Sequence, residues 1–130
     1  MKIVRLDKSF SLVEIIVAVG ILAVSLVAML GFFSTTFQAN KNSYTTSVAI
    51  DHAGSILEEI RGRNLTILSM ELLRGDWTFD TAGIKAKGFV PLNNEQISTA
   101  FSGAGPLTVT VTVTWDQARS VTLTTIMGGA

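Results

Sequence analysis

From Ile15 to Phe33 the chain carries no charged side chain, and only Ser25, Gly20 and Gly31 relieve its apolar character. A stretch like this has few ways to fold. Counted from Phe10 it is about 24 residues, which as a helix extends about 36 Å and covers the hydrocarbon core of a bilayer. It is apolar on every side, so it meets lipid or other protein all round. Three arrangements are open to it. A secretory signal peptide has a shorter apolar core with a small-residue cleavage site behind it, and the length here argues against that. A plain single-span anchor fits both length and flanks. The third is a segment that is retained after a leader has been cut away in front of it.

The flanks set a direction. Lys2, Arg5 and Lys8 outnumber Asp7 ahead of the run, and the next basic residue is Lys41. Positive charge beside an apolar span holds that end in the cytoplasm. The sequence therefore predicts a cytoplasmic amino terminus, a single pass through the inner membrane, and a periplasmic or extracellular carboxyl-terminal domain. The expected divisions are a basic leader over 1–9, a transmembrane half-helix over 10–33 and a globular domain over 34–130. Formal net charge is zero, so no electrostatic case for nucleic acid exists. Cysteine is absent, which excludes disulfides, thiolate metal sites and cysteine catalysis.

Glu14 is the one charge between Phe10 and Asn40. A carboxylate at bilayer depth costs about 2.5–3.5 kcal/mol at the centre and less near an end, so such groups are usually paired. Two readings follow from the residues. Ser11-Leu-Val-Glu14 has the spacing of a capping box, and an acidic side chain suits the positive end of a helix. Alternatively the carboxylate pairs with a cation, either a terminal amine one turn away or the amine of a neighbouring subunit.

Lys8-Ser-Phe-Ser-Leu-Val-Glu-Ile-Ile-Val-Ala18 resembles the amino-terminal signature of type IV pilins and of type II secretion pseudopilins. The resemblance implies that a prepilin peptidase cuts between Ser9 and Phe10, that Phe10 becomes the N-methylated terminus, and that Glu14 is the retained carboxylate that pairs between subunits. It implies other pilin or pseudopilin subunits, the peptidase and an inner-membrane assembly platform as partners, with membrane lipid around the helix before assembly. One position departs from the pattern: the family favours Gly before the cut, and this chain has Ser9. The rival expectation is an uncut, membrane-anchored extracytoplasmic binding domain.

Beyond Ser34 the polarity rises without a break. Val48, Ala49, Ala53, Ile56, Leu57 and Ile60 recur at helical spacing, with Asp51, Glu58, Glu59 and Arg61 elsewhere, and no proline interrupts residues 10–63. The spacing predicts one helix from the apolar run to about Gly62, amphipathic in its second half. Asn64 to Gly75 reads as a short second helix or loop. Trp77 and Phe79 alternate with polar neighbours as a short strand would, Gly83 to Gly88 is turn-like, Phe89-Val90 is a candidate edge strand, and Pro91 to Pro106 reads as a surface loop. The clearest β signal is Leu107-Thr-Val-Thr-Val-Thr-Val-Thr-Trp115, with apolar and threonine faces in strict alternation. Asp116 to Ala118 turn the chain, and Arg119 to Met127 returns, with a bulge expected to bring Ile126 inward. The valine face is expected to lie on the long helix. The fold class predicted is α+β: a long amino-terminal helix on a small antiparallel sheet. Ala53-Gly-Ser-Ile-Leu-Glu-Glu-Ile-Arg61, with the later Val-Thr-Val-Thr-Trp115, is similar to PilV-type minor pilins and GspI-type minor pseudopilins, which favours a minor subunit.

No catalytic, cofactor or metal motif stands out. His52 is expected to serve packing or the surface, acidic residues are scattered, and no phosphate-binding glycine loop or nucleophile elbow is present. An enzyme is not expected.

Overall fold

A computed structural model of the chain describes residues 10–103 and 105–128. The described chain is α+β, with helices α1 (Leu12–Arg61), α2 (Leu65–Arg74) and α3 (Thr81–Ala86) followed by strands β1 (Gln96–Ser102), β2 (Leu107–Trp115) and β3 (Arg119–Met127). It divides into two compact units, Met1–Lys41 and Asn42–Ala130, and α1 contributes to both.

In the first unit α1 is apolar all round, and every described side chain up to Thr35 is exposed. This helix is long and apolar enough to cross a membrane. Gly20 and Gly31 sit in open surroundings and do not break it.

The second unit has its own core. Ala49, Ala53, Ile56, Leu57 and Ile60 of α1 form one stripe, as their three- and four-residue spacing dictates. They pack with Val109, Val111, Val113 and Trp115 of β2 and with Ile97 of β1. Each fully buried Val or Ile contributes about 1.5–3 kcal/mol of apolar burial. Ala49 and Ala53 are the small members of this stripe and Ile56 and Ile60 the large ones, and all four are wholly buried.

Gly62 N–H still reaches Glu58 O at 3.2 Å, and Arg63 N–H takes a tighter bond to Ile60 O at 3.0 Å as α1 ends. Asn64 then caps α2, its side-chain oxygen accepting from Thr66 N–H at 3.0 Å. Gly75 closes that helix in the left-handed region, φ 77°, with its N–H on Leu72 O and that of Asp76 on Glu71 O.

The sheet is antiparallel in the order β1-β2-β3. β1 lies where a surface loop is expected. Its inward positions include the buried Ile97 and half-buried Phe101, and its outward positions are Gln96, Ser98, Ala100 and Ser102. Pairing with β2, rather than its own composition, makes it a strand. Phe79 contributes a single bridge, exchanging two 2.8 Å hydrogen bonds with Ile97, and not a strand of its own. The expected turn at Gly83 falls inside and just after α3, which Asp80 caps by accepting from Gly83 N–H at 2.8 Å. Phe89-Val90 is not a strand; Val90 is exposed and Phe89 packs on His52.

The β2–β3 hairpin follows the alternation, but without the expected bulge. Its register runs unbroken from Leu107↔Met127 to Trp115↔Arg119. Ile126 therefore faces outward, 69 % exposed, and Thr125 takes the inward place opposite Val109. The mismatch is resolved chemically: Arg61 of α1 donates to Thr125 Oγ1 from Nε at 3.3 Å and Nη2 at 2.9 Å. A buried hydroxyl at the end of the helix stripe is satisfied by the residue that ends the helix.

Candidate functional site

The amino-terminal end of α1 holds the residues singled out from the sequence. Ser9, the residue before the expected cut, lies in 1–9, outside the described residues. Phe10 is described, and its ring is exposed. Ser11 is the cap: its Oγ accepts from Glu14 N–H at 3.2 Å, and its carbonyl accepts from Glu14 N–H and Ile15 N–H. Half of the capping box is thus formed. The reciprocal bond, from Ser11 N–H to the Glu14 carboxylate, is not made among the described residues. The backbone takes what it needs from Ser11, and the carboxylate is left outward on the first turn, with no ion-pair partner among the described residues. Chemically this is an anionic group, on a helix with no other charge before Lys41, available to a cation supplied from outside the described chain.

Ser25, Thr35 and Thr36 are polar groups of this half that also have partners. Ser25 Oγ donates to Ile21 O at 2.8 Å, Thr35 Oγ1 to Phe32 O at 2.9 Å and Thr36 Oγ1 to Phe32 O at 2.9 Å. Each hydroxyl is turned back onto its own helix.

Elsewhere two polar clusters lie in the second unit. His52 packs in the core, as expected of a lone histidine, and it is joined there by Glu95, a residue sequence reasoning assigned to a loop. Glu95 is wholly buried; its Oε1 lies 2.6 Å from His52 Nδ1, its Oε2 accepts from Leu92 N–H at 2.6 Å, and its carbonyl accepts from Thr81 Oγ1 at 3.2 Å. Phe89 lies against the imidazole with ring centres 4.8 Å apart. The arrangement pins the segment before β1 to α1. Each oxygen of Glu95 has a partner within the fold.

The second cluster surrounds the buried Trp77. Its Nε1 donates to Glu71 Oε2 at 3.0 Å, and the charges of Arg63 and Lys87 lie 5.7 and 5.6 Å from its ring centre. Lys87 also meets Glu59 at 2.6 Å. These contacts tie α2 and α3 to the end of α1, with cations and carboxylates balanced among themselves. Among the described residues no group of His, Asp and Glu could hold a metal ion.

No family model, curated protein or solved structure matches the chain.

Proposed function

We propose that this chain is a minor type IV pilin or pseudopilin: a membrane-stored structural subunit that a prepilin peptidase processes and that assembly machinery packs into, or uses to initiate, a filament. The observation that carries the reading is the order of features along one helix. A basic leader gives way at Ser9-Phe10, Ser11 satisfies the helix start, Glu14 keeps a free carboxylate, and an uncharged membrane-length run follows. Cutting before Phe10 would create an amine one turn from that carboxylate. The amine of one subunit meeting Glu14 of the next would neutralise both charges and set the axial stagger between subunits. Moving the helix from lipid into a bundle of like helices changes apolar burial little, so packing and this pair supply the specificity.

The partners on this reading are other pilin or pseudopilin subunits, the peptidase and the inner-membrane platform. Lys2, Arg5 and Lys8 favour a cytoplasmic leader and a second unit outside the cytoplasm. Ser9 in place of the usual glycine favours a second reading, in which the leader stays and the chain is a static anchored domain.

Intact mass and amino-terminal sequencing of the protein from its native membrane separate the two. The proposal expects a chain beginning at N-methylated Phe10; a chain beginning at Met1 in a cell with active peptidase supports the static anchor. Glu14→Ala should insert as the parent does yet be missing from sheared filaments. Normal incorporation of that variant would remove the pairing role.

A further inference from the structure

One cleft of the second unit carries polar groups that the fold leaves unpaired. It lies where β1 begins and β2 ends, measures about 480 Å³ and is lined by Asn94, Gln96, Thr114, Trp115 and Gln117. Small-molecule sites typically measure about 300–1,000 Å³. The side chains of Asn94, Gln96 and Gln117 are exposed and have no hydrogen-bond partner among the described residues. Trp115 is only 2 % exposed, and its Nε1 is the one buried side-chain polar atom without a partner among the described residues. Trp77 shows the usual arrangement, with Nε1 donating to Glu71. A buried donor left unmet is costly, and an acceptor brought from outside the chain would remove that cost.

The backbone around the cleft is fixed while these side chains are not. Asn94, Asp116 and Gln117 are the non-glycine residues with positive φ among the described residues, at 51°, 51° and 65°. Asn and Asp enter this region readily, but Gln does not. The two turns that carry them are tied together: Asp116 N–H donates to Asn93 O at 3.0 Å, and Asn93 Nδ2 donates to Asp116 Oδ1 at 2.9 Å. Between Asn94 and Gln96, the buried Glu95 holds the same segment to His52 of α1. Holding the rim in place beforehand lowers the ordering cost of binding.

We propose that this cleft binds a neutral saccharide. The lining selects the ligand class. A carboxamide sets a donor beside an acceptor, which matches neighbouring hydroxyls that each donate and accept. The carboxamides of Asn94, Gln96 and Gln117 and the Thr114 hydroxyl offer this several times over, and Trp115 adds an apolar surface. No lining residue is charged, so nothing there would hold a phosphate or a carboxylate. Asp116, between two lining residues in the chain, disfavours anions further, and Arg119, opposite Trp115 in the register, does not line the cleft.

Trp115 Nε1 is covered, so a sugar oxygen meets it only when a side chain of the rim moves aside. The side chains of Gln96 and Gln117 can do so without breaking a hydrogen bond. All five lining residues belong to the second unit. Saccharide binding is therefore independent of whether the leader is cut and of what Glu14 pairs with.

The two tryptophans, Trp77 and Trp115, make a direct test possible. In full-length protein carrying isotope-labelled tryptophan, in a polyoxyethylene detergent without sugar head groups, each indole N–H gives its own NMR resonance. The Trp115 signal is the one lost in Trp115→Phe. Glucose, galactose, mannose, N-acetylglucosamine and lactose would be titrated in turn. At least one of them should move the Trp115 resonance saturably and leave that of Trp77 in place. Gln96→Ala/Gln117→Ala, its fold checked by circular dichroism, should bind that sugar about tenfold more weakly. No response to any of these sugars would overturn the proposal, as would equal shifts at both tryptophans or an unchanged affinity in the double variant. Inorganic phosphate and acetyl-glycinamide should have no effect. A response to either of them without one to a sugar would overturn the proposal and give the cleft to an anion or to a peptide.

Discussion

Residues 12–41 and residues 42–61 belong to one uninterrupted helix, yet they are held in different ways. The first stretch is by far the more apolar and buries none of its side chains as far as Thr35. The second is mixed in polarity, and Ala49, His52, Ala53, Ile56, Leu57 and Ile60 are buried. Apolar content alone thus points the wrong way when one asks where the core of this chain lies. What predicts burial within the chain is a stripe, with polar residues on the remaining faces, because only a stripe can be covered by a single sheet. A helix apolar all round needs an apolar environment on every side, and the small sheet cannot supply it. Up to Thr35 the first stretch has no such cover among the described residues, whereas the second has the sheet of its own unit.

This contrast can be broken most severely at Ile56. Ile56→Ala removes a fully buried side chain between helix and sheet, and should cost the second unit about 2–5 kcal/mol. Urea unfolding followed by tryptophan fluorescence reads this directly, since both tryptophans, Trp77 and Trp115, lie in that unit. The matching truncation in the first unit, Leu26→Ala, should leave the same transition where it was. A comparable shift from both variants would mean that the two regions do not differ as described.

Glu95→Ala should act next most strongly. It leaves His52 Nδ1 without its partner and Leu92 N–H without its acceptor inside the protein. A loss of about 2–3 kcal/mol is expected by the same measurement, with faster amide exchange near Leu92. If the exchange rate there does not change, Glu95 is not what holds this segment to the helix.

Thr125→Val should be milder, about 1 kcal/mol or less, because the Arg61 guanidinium is half exposed and can turn to water. A loss of several kcal/mol would show that the end of α1 relies on Thr125 far more than its geometry implies.

Legibility of the sequence followed the same division between local and distant causes. The extent of α1, the stop at Gly75 and the valine–threonine hairpin were readable, because each is written in residues close along the chain; whether Asn64 to Gly75 was helix or loop stayed open, and the Asn64 cap on Thr66 N–H decides for the helix. β1 was not. Its seven residues include only two large apolar side chains, Ile97 and Phe101, and they stand among Asn, Ser, Gly and Pro that signal turns. α3 has six residues with a glycine inside, too short to show a period. The bulge expected near Ile126 rested on the assumption that apolar side chains take inward positions; Arg61 made a threonine acceptable there instead. The Glu95–His52 contact spans 43 positions, and no local pattern announces such a pair. At the helix start, the spacing from Ser11 to Glu14 revealed the cap, but it could not tell that only half of the box would form.

The hydroxyls of Ser25, Thr35 and Thr36 have a bearing beyond local geometry. Each donates to a carbonyl of the same helix, so the bonds travel with the helix wherever it goes. Exchanging one oily neighbour for another breaks none of them and exposes no fresh donor. Were this stretch to exchange one apolar surrounding for another, the cost would fall mainly on Glu14, the one charge before Lys41 and close to the start of the helix.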